Sequence, residues 1–259
     1  LTVPHTSRHA LAVCAAALLG AAAPCRAQAP APPTAEQLSE QATDPTAPLM
    51  TFNLISTWIA SYHGVDGGGL EVKIQPVIPF RAWGASNILR VAAPYQVSGP
   101  GDDGLTSLTL FDLVVLPQSW GKLALGADMQ LTPGGGDDDG TIAIGPAVGA
   151  VVPLSRRLSI GAFTQNLFGK GTAISQVQPI IAYQLGGGWA LSAGDLQFAY
   201  DWDAGRFVSL PIGAQIGVVT PVAGQPFRFS VNPQYNLADV TGAGRFKVVV
   251  AVALLAPLR

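Results

Sequence analysis

A chain of 259 residues that is 49% hydrophobic and 12% charged is too apolar and too sparsely charged for an ordinary soluble protein, whose charged share is about 25%. Its 14 basic and 16 acidic side chains leave no basic footprint for nucleic acid, and 30 Gly with 21 Pro argue against long helices. After the first 24 residues no apolar run reaches the roughly 20 residues that a membrane-spanning helix requires. An apolar, turn-rich chain without spanning helices reads as a membrane β-barrel, with a soluble all-β sandwich as the competing class.

Residues 1–27 read as a secretory signal peptide. Arg8 and His9 form a weak basic region, Ala10–Ala23 a short apolar core, and Cys25-Arg26-Ala27 a small-residue cleavage site. Cys14 and Cys25 both lie in the removed segment, so neither disulfides nor thiol chemistry are expected in the mature chain. Residues 28–48 are rich in Pro and Ala and are expected to be a disordered leader. Within them, Ala35–Ala42 allows a short helix that plugs or caps a barrel mouth.

From residue 49 to 259 the pattern is alternation, which puts successive side chains on opposite faces of a strand. Leu49–Tyr62 places Met50, Phe52, Leu54, Trp58 and Tyr62 on one parity, and HGVDGGG follows as a turn. Leu70–Phe80 sets Leu70, Val72, Ile74, Ile78 and Phe80 against Glu71, Lys73 and Gln75. Ile88–Val97 sets Leu89, Val91, Tyr95 and Val97 against Arg90 and Gln96. Leu105–Leu116 is less clean, with Asp112 opposing Phe111, Leu113 and Val115. Lys122–Thr132 carries Lys122 and Asp128 opposite Leu123, Leu125, Met129 and Leu131. Thr141–Pro153, Leu158–Phe168, Ile174–Leu185 and Trp189–Trp202 are the next strands, the last with a parity slip near Gly194 that reads as a bulge. Phe207–Val219 and Phe246–Ala256 flank the cleanest stretch, Gln225–Leu237. There Phe227, Phe229, Val231, Pro233, Tyr235 and Leu237 oppose Arg228, Ser230, Asn232, Gln234 and Asn236.

These segments predict an all-β fold: a transmembrane antiparallel up-and-down β-barrel of about 12 strands. Numbered in order, the odd turns hold nearly all turn acids, while Arg81, Arg156 and Arg157 lie in even turns. An up-and-down barrel sends odd and even turns to opposite rims. Trp58 and Trp202 fall at odd-rim strand ends and Trp83, Trp120 and Trp189 at the even rim, where interfacial girdles belong. Pro76, Pro94, Pro146, Pro179, Pro211 and Pro233 run against this scheme. Each falls inside a predicted strand, and a closed barrel has no edge to hold a residue without an N–H.

Asp44-Pro45-Thr46-Ala47-Pro48-Leu49, the TLFDL core of Leu105–Leu116, the Gln165-Asn166 pair, and GW…YDW…LPIG between Gly188 and Gly213 resemble a known family. These are the outer-membrane barrel proteins labelled as transporters or as belonging to the MetA-pathway of phenol degradation. The resemblance spans about Asp44 to Pro257. It implies a bacterial outer-membrane barrel with a transport role, for aromatic or other apolar compounds among others, and it brings no catalytic residues.

The residues themselves give no catalytic set. His63 is the single histidine after residue 27 and reads as a solvated loop residue, so no Ser–His–acid arrangement forms. One His and no Cys leave no transition-metal site, and no cofactor is implied. Asp102-Asp103 and Asp137–Asp139 read as a solvated acidic rim, with calcium ligation by these oxygens as the alternative. The expected lumen lining is Glu71, Lys73, Arg90, Asp112, Lys122, Asp128, Asp195, Asp201, Arg228 and Lys247. Either a narrow pore or a barrel closed by internal ion pairs fits that mixture. The leading expectation is a passive outer-membrane channel whose partners are membrane lipid and a small solute. A structural or adhesive barrel and a barrel-embedded lipid hydrolase are the alternatives.

Overall fold

The computed structural model describes residues 32–82, 84–101, 103–134 and 140–257. The expected signal peptide, Trp83, Asp102 and Asp137–Asp139 lie outside the described residues. The chain is a closed antiparallel barrel of twelve staves. The first eight are β1 (Leu49–Tyr62), β2 (Gly69–Ala82), β3 (Ala85–Ser98), β4 (Leu108–Gln118), β5 (Gly121–Thr132), β6 (Thr141–Pro153), β7 (Leu158–Gly169) and β8 (Thr172–Gly186). The ninth, β9, is split into Trp189–Ser192 and Phe198–Asp201; β10 is split into Arg206–Ser209, Pro211–Gly213 and Gln215–Val222. After β11 (Gln225–Asn236), β12 (Gly244–Pro257) pairs back onto β1, with Leu49 opposite Pro257, and closes the sheet.

Directly opposed residues share a face, so the ladders assign inside and outside. One inner row runs Val77, Arg90, Phe111, Asp128 and Gly145 across β2 to β6. On β11, Ser230, Asn232, Gln234 and Asn236 are buried, while Phe229 and Val231 are exposed. A soluble sandwich would bury the opposite set. The same inversion holds for exposed Phe52, Leu54, Ile74, Leu125, Ile144 and Ile181. Burial of amides behind a shell of exposed aliphatics is what an apolar solvent selects.

The six in-strand prolines sit where a ladder is interrupted on one side. Pro76 pairs with Phe52 on β1, while the β2–β3 register skips Gln75 and Pro76. Pro94 pairs with Lys73 and turns its other edge to the gap before β4, where its carbonyl accepts from the Thr106 N–H at 3.0 Å. Pro146 pairs with Ala127, and the β6–β7 register skips Gly145 and Pro146; there the Asn166 Nδ2 donates to the Pro146 carbonyl at 3.0 Å. Pro179, Pro211 and Pro233 border the breaks in β9 and β10. Local openings therefore provide the edges that a uniformly closed wall lacks.

Two features depart from the alternation. Tyr62 does not continue the outer parity of Trp58: register shifts at Ser61 turn it inward, against Gly69, whose added Cβ would lie 2.1 Å from the Tyr62 hydroxyl. The slip near Gly194 is a complete break, and residues 193–197 leave the β9 ladder. The leader also differs from a wholly disordered segment, because Ala35–Thr43 forms helix α1. A capping box starts it: the Thr34 hydroxyl accepts from the Gln37 N–H at 3.2 Å, and the Gln37 side chain accepts from the Thr34 N–H at 2.9 Å. No described helix is long and apolar enough to cross a membrane.

Candidate functional site

The lumen is built from below by α1. Leu38, 4% exposed, packs with Leu49, Val219, Ala253 and Leu255, inner-face residues near the rim where β1 begins and β12 ends. Ala35 meets the β8–β9 turn at Gly188. On the polar side of the helix, the Ser39 hydroxyl donates to Gln184 Oε1 at 3.0 Å, and Gln184 Nε2 donates to the Thr43 hydroxyl at 3.1 Å. Asp44, which ends the helix, pairs with Lys122 Nζ at 2.6 Å. Apolar burial, two hydrogen bonds with the Gln184 amide and one ion pair thus seat α1 inside the even-rim mouth.

Above the helix lies a cavity of about 140 Å³, reached by Asn53, Gln75, Arg90, Gln178, Ser192, Asp195, Gln215, Arg228 and Ser230. The break in β9 creates its upper wall. Residues 193–197 lie off the ladder, and Asp195 meets Lys73 of β2, across the barrel, at 3.6 Å. Gln178 Nε2 donates to the other Asp195 oxygen at 3.2 Å. A second network follows the wall: the Ser192 hydroxyl and Arg228 Nη2 donate to Gln215 Oε1 at 3.1 and 2.8 Å, and Gln215 Nε2 donates to the Ser230 hydroxyl at 3.2 Å. Fully buried Asn232 packs against the break, since a Cβ on Gly194 would sit 2.4 Å from its amide.

The lumen is two-sided. Strands β3 to β8 turn Ile88, Phe111, Leu113, Val115, Ala124, Ala147, Val151, Phe163 and Ile180 inward as one apolar cluster. Phe111 and Phe163 meet edge-on, with centroids 5.0 Å apart. The Arg90 guanidinium lies over the Phe111 ring at 5.4 Å, at the seam between the apolar side and the polar wall.

The expected lining residues take different places in this arrangement. Lys73, Arg90, Asp195 and Arg228 gather at the cavity. Lys122 is engaged by α1 through Asp44. Glu71 and Lys247 face inward nearer the odd rim, opposite Thr57 and Ile59 respectively. Asp128 faces inward at 1% exposure, with no hydrogen-bond partner for either carboxylate oxygen among the described residues. Asp201 is inward by register, but its Oδ1 caps the next turn, accepting the N–H groups of Asp203 and Ala204 at 2.9 Å each. Asp112 requires correction: it stands opposite Leu89 and Ala127 on the outer face, because the inner parity of β4 belongs to Phe111, Leu113 and Val115. Of the tryptophans, Trp58 and Trp202 are exposed at odd-rim strand ends, and Trp120 and Trp189 at the even rim.

The amides Gln178 and Gln215 and the rings of Phe111 and Phe163 were absent from the expected lining. The inward parity of β8 and β10 points to such amides; nothing local points to an apolar inner face on β4.

His63 is not a solvated loop residue. It is 9% exposed; its Nε2 meets the Asn236 carbonyl at 3.0 Å and its Nδ1 meets Asp239 Oδ1 at 3.1 Å. Both ring nitrogens are thereby engaged in tying the β11–β12 turn to the end of β1. No group of His, Cys, Asp and Glu with metal-holding geometry occurs among the described residues.

No family model and no curated protein matches this sequence. Solved structures do match. An outer-membrane channel from Pseudomonas putida F1 is 11% identical over 80% of this chain and 96% of its own, with a TM-score of 0.54. The KdgM porin is 10% identical over 79% of this chain and 98% of its own, with a TM-score of 0.51. The outer-membrane phospholipase A from Escherichia coli is 12% identical over 86% and 98%, with a TM-score of 0.47. At these identities the channel and the porin show the fold: this chain has the architecture of outer-membrane β-barrels.

Proposed function

We propose that this protein is a passive channel of the bacterial outer membrane, reached after removal of a signal peptide, with α1 as a plug in its periplasmic mouth. The observation that carries the reading is the polar cavity between α1 and the Lys73–Asp195 pair. A barrel serving only as scaffold has no use for a chamber lined by amides and guanidinium groups. Selection would act by size and field at the constriction. The exposed tryptophans at both rims support interfacial girdles, and the apolar outer band supports lipid as the surrounding medium. A closed structural barrel is the second reading, favoured by the seating of α1.

The test is conductance of the refolded full chain in a planar bilayer, with Leu38→Asp beside it. Discrete steps, larger or more frequent in the variant because its helix leaves the mouth, are the expected result. A silent bilayer for both proteins, with folding verified by heat-shifted gel mobility, would support the structural barrel.

A further inference from the structure

Charge in the cavity does not balance. Its lining holds two carboxylates, Asp44 and Asp195, and two guanidinium groups, Arg90 and Arg228. Both carboxylates are already paired with lysines: Asp44 with Lys122 at 2.6 Å and Asp195 with Lys73 at 3.6 Å. Neither arginine has a carboxylate within ion-pair distance among the described residues. Arg228 donates to a neutral amide, Gln215, and the buried Nε of Arg90 has no hydrogen-bond partner among the described residues. Asp195 is the one carboxylate whose field reaches both guanidinium groups, and it is shared with Lys73; three cations drawing on one negative charge away from bulk water are costly unless a further anion visits them. Guanidinium is also the side chain whose planar fork matches a carboxylate.

The remaining lining defines the rest of the visitor. Ile55, Val77 and Ile180 reach the same cavity, and Phe111 lies under Arg90. A volume near 140 Å³ suits one ring, since an apolar cavity of about 150 Å³ holds benzene.

We propose that the cavity is a binding site for small aromatic carboxylates, with Arg90 and Arg228 receiving the carboxylate and the Ile55–Val77–Ile180 side receiving the ring. The inference rests on the lumen being a solute path and names the solute class of that path.

The test is titration calorimetry of the folded full chain in detergent micelles with benzoate, benzyl alcohol and inorganic phosphate. Benzoate is expected to bind at least tenfold more tightly than either other probe. Arg90→Gln and Arg228→Gln are each expected to weaken benzoate about tenfold or more, as loss of a charge-assisted bond does, and to leave benzyl alcohol within about twofold. Arg228→Lys, which keeps the charge and loses the fork, falls between. Equal binding of benzoate and benzyl alcohol overturns the proposal, as does phosphate binding as tightly as benzoate. The ligand comparison on the unaltered chain decides even where a variant does not fold. Benzoate binding with a silent bilayer removes the channel reading alone; conductance without benzoate preference removes this proposal alone.

Discussion

Single side chains here take meaning from which side of the wall they occupy. Asp112 is an acid on the outer face, flanked across the ladder by Leu89 and Ala127, with one carboxylate oxygen buried and without a hydrogen-bond partner among the described residues. Basic residues at such depth cost about 2–4 kcal/mol and acids less. Asp112→Leu is therefore expected to stabilise the barrel by about 1–2 kcal/mol, read as a higher urea midpoint in lipid vesicles; an unchanged or lower midpoint means the carboxylate has a partner. Gly145 shows the opposite constraint. An added Cβ would meet the Asn166 carbonyl at 1.5 Å, a closeness only glycine permits. Gly145→Ala is expected to cost about 1–3 kcal/mol, the range for overpacking, in the same assay. Full retention of stability would mean that β6 and β7 separate freely at Pro146.

At the scale of elements, α1 and the broken β9 set the two ends of the cavity. A nine-residue helix is marginal by itself; the capping box and burial of Leu38 hold it. The Asp44–Lys122 pair is partly exposed, so screening limits its worth to roughly 0.5–1 kcal/mol. Lys122→Ala is accordingly expected to speed amide exchange over Leu38–Thr43 by about two- to fivefold, with strand amides unaffected. Exchange that stays unchanged assigns the seating to apolar burial alone. The break in β9 was visible in the sequence only as a slip near Gly194, because alternation shows that register is lost but not where the freed residues go. A short helix over Ala35–Ala42 was likewise legible, yet a short polar helix is not stable until a barrel mouth receives it.

For the whole molecule, chords across the lumen decide how much of it stays open. One joins β2 to β9 through Lys73 and Asp195; another joins β4 to β7 through Phe111 and Phe163. The aromatic chord consolidates the apolar side. A double-mutant cycle of Phe111→Leu and Phe163→Leu is expected to give a coupling of about 0.5–1.5 kcal/mol, as edge-on rings do. A coupling near zero would mean that the two rings fill space independently. Twelve staves alone leave an interior between the filled and the aqueous limits; these chords and α1 divide it into a packed side and a polar-lined cavity.

Strand number, up-and-down order and the polar parity of β11 follow from the sequence alone. Alternation, turn chemistry and the need to satisfy every backbone group in lipid are local or solvent-imposed constraints that any register must obey. The inward turn of Tyr62 and the outward side of Asp112 depend on bulges and on neighbouring strands. The pairing of both lining carboxylates with lysines, the placing of Arg90 over Phe111, and the burial of His63 between Asn236 and Asp239 join residues far apart in the chain. Only closure of the barrel brings those groups within reach of one another, and so only the tertiary structure decided them.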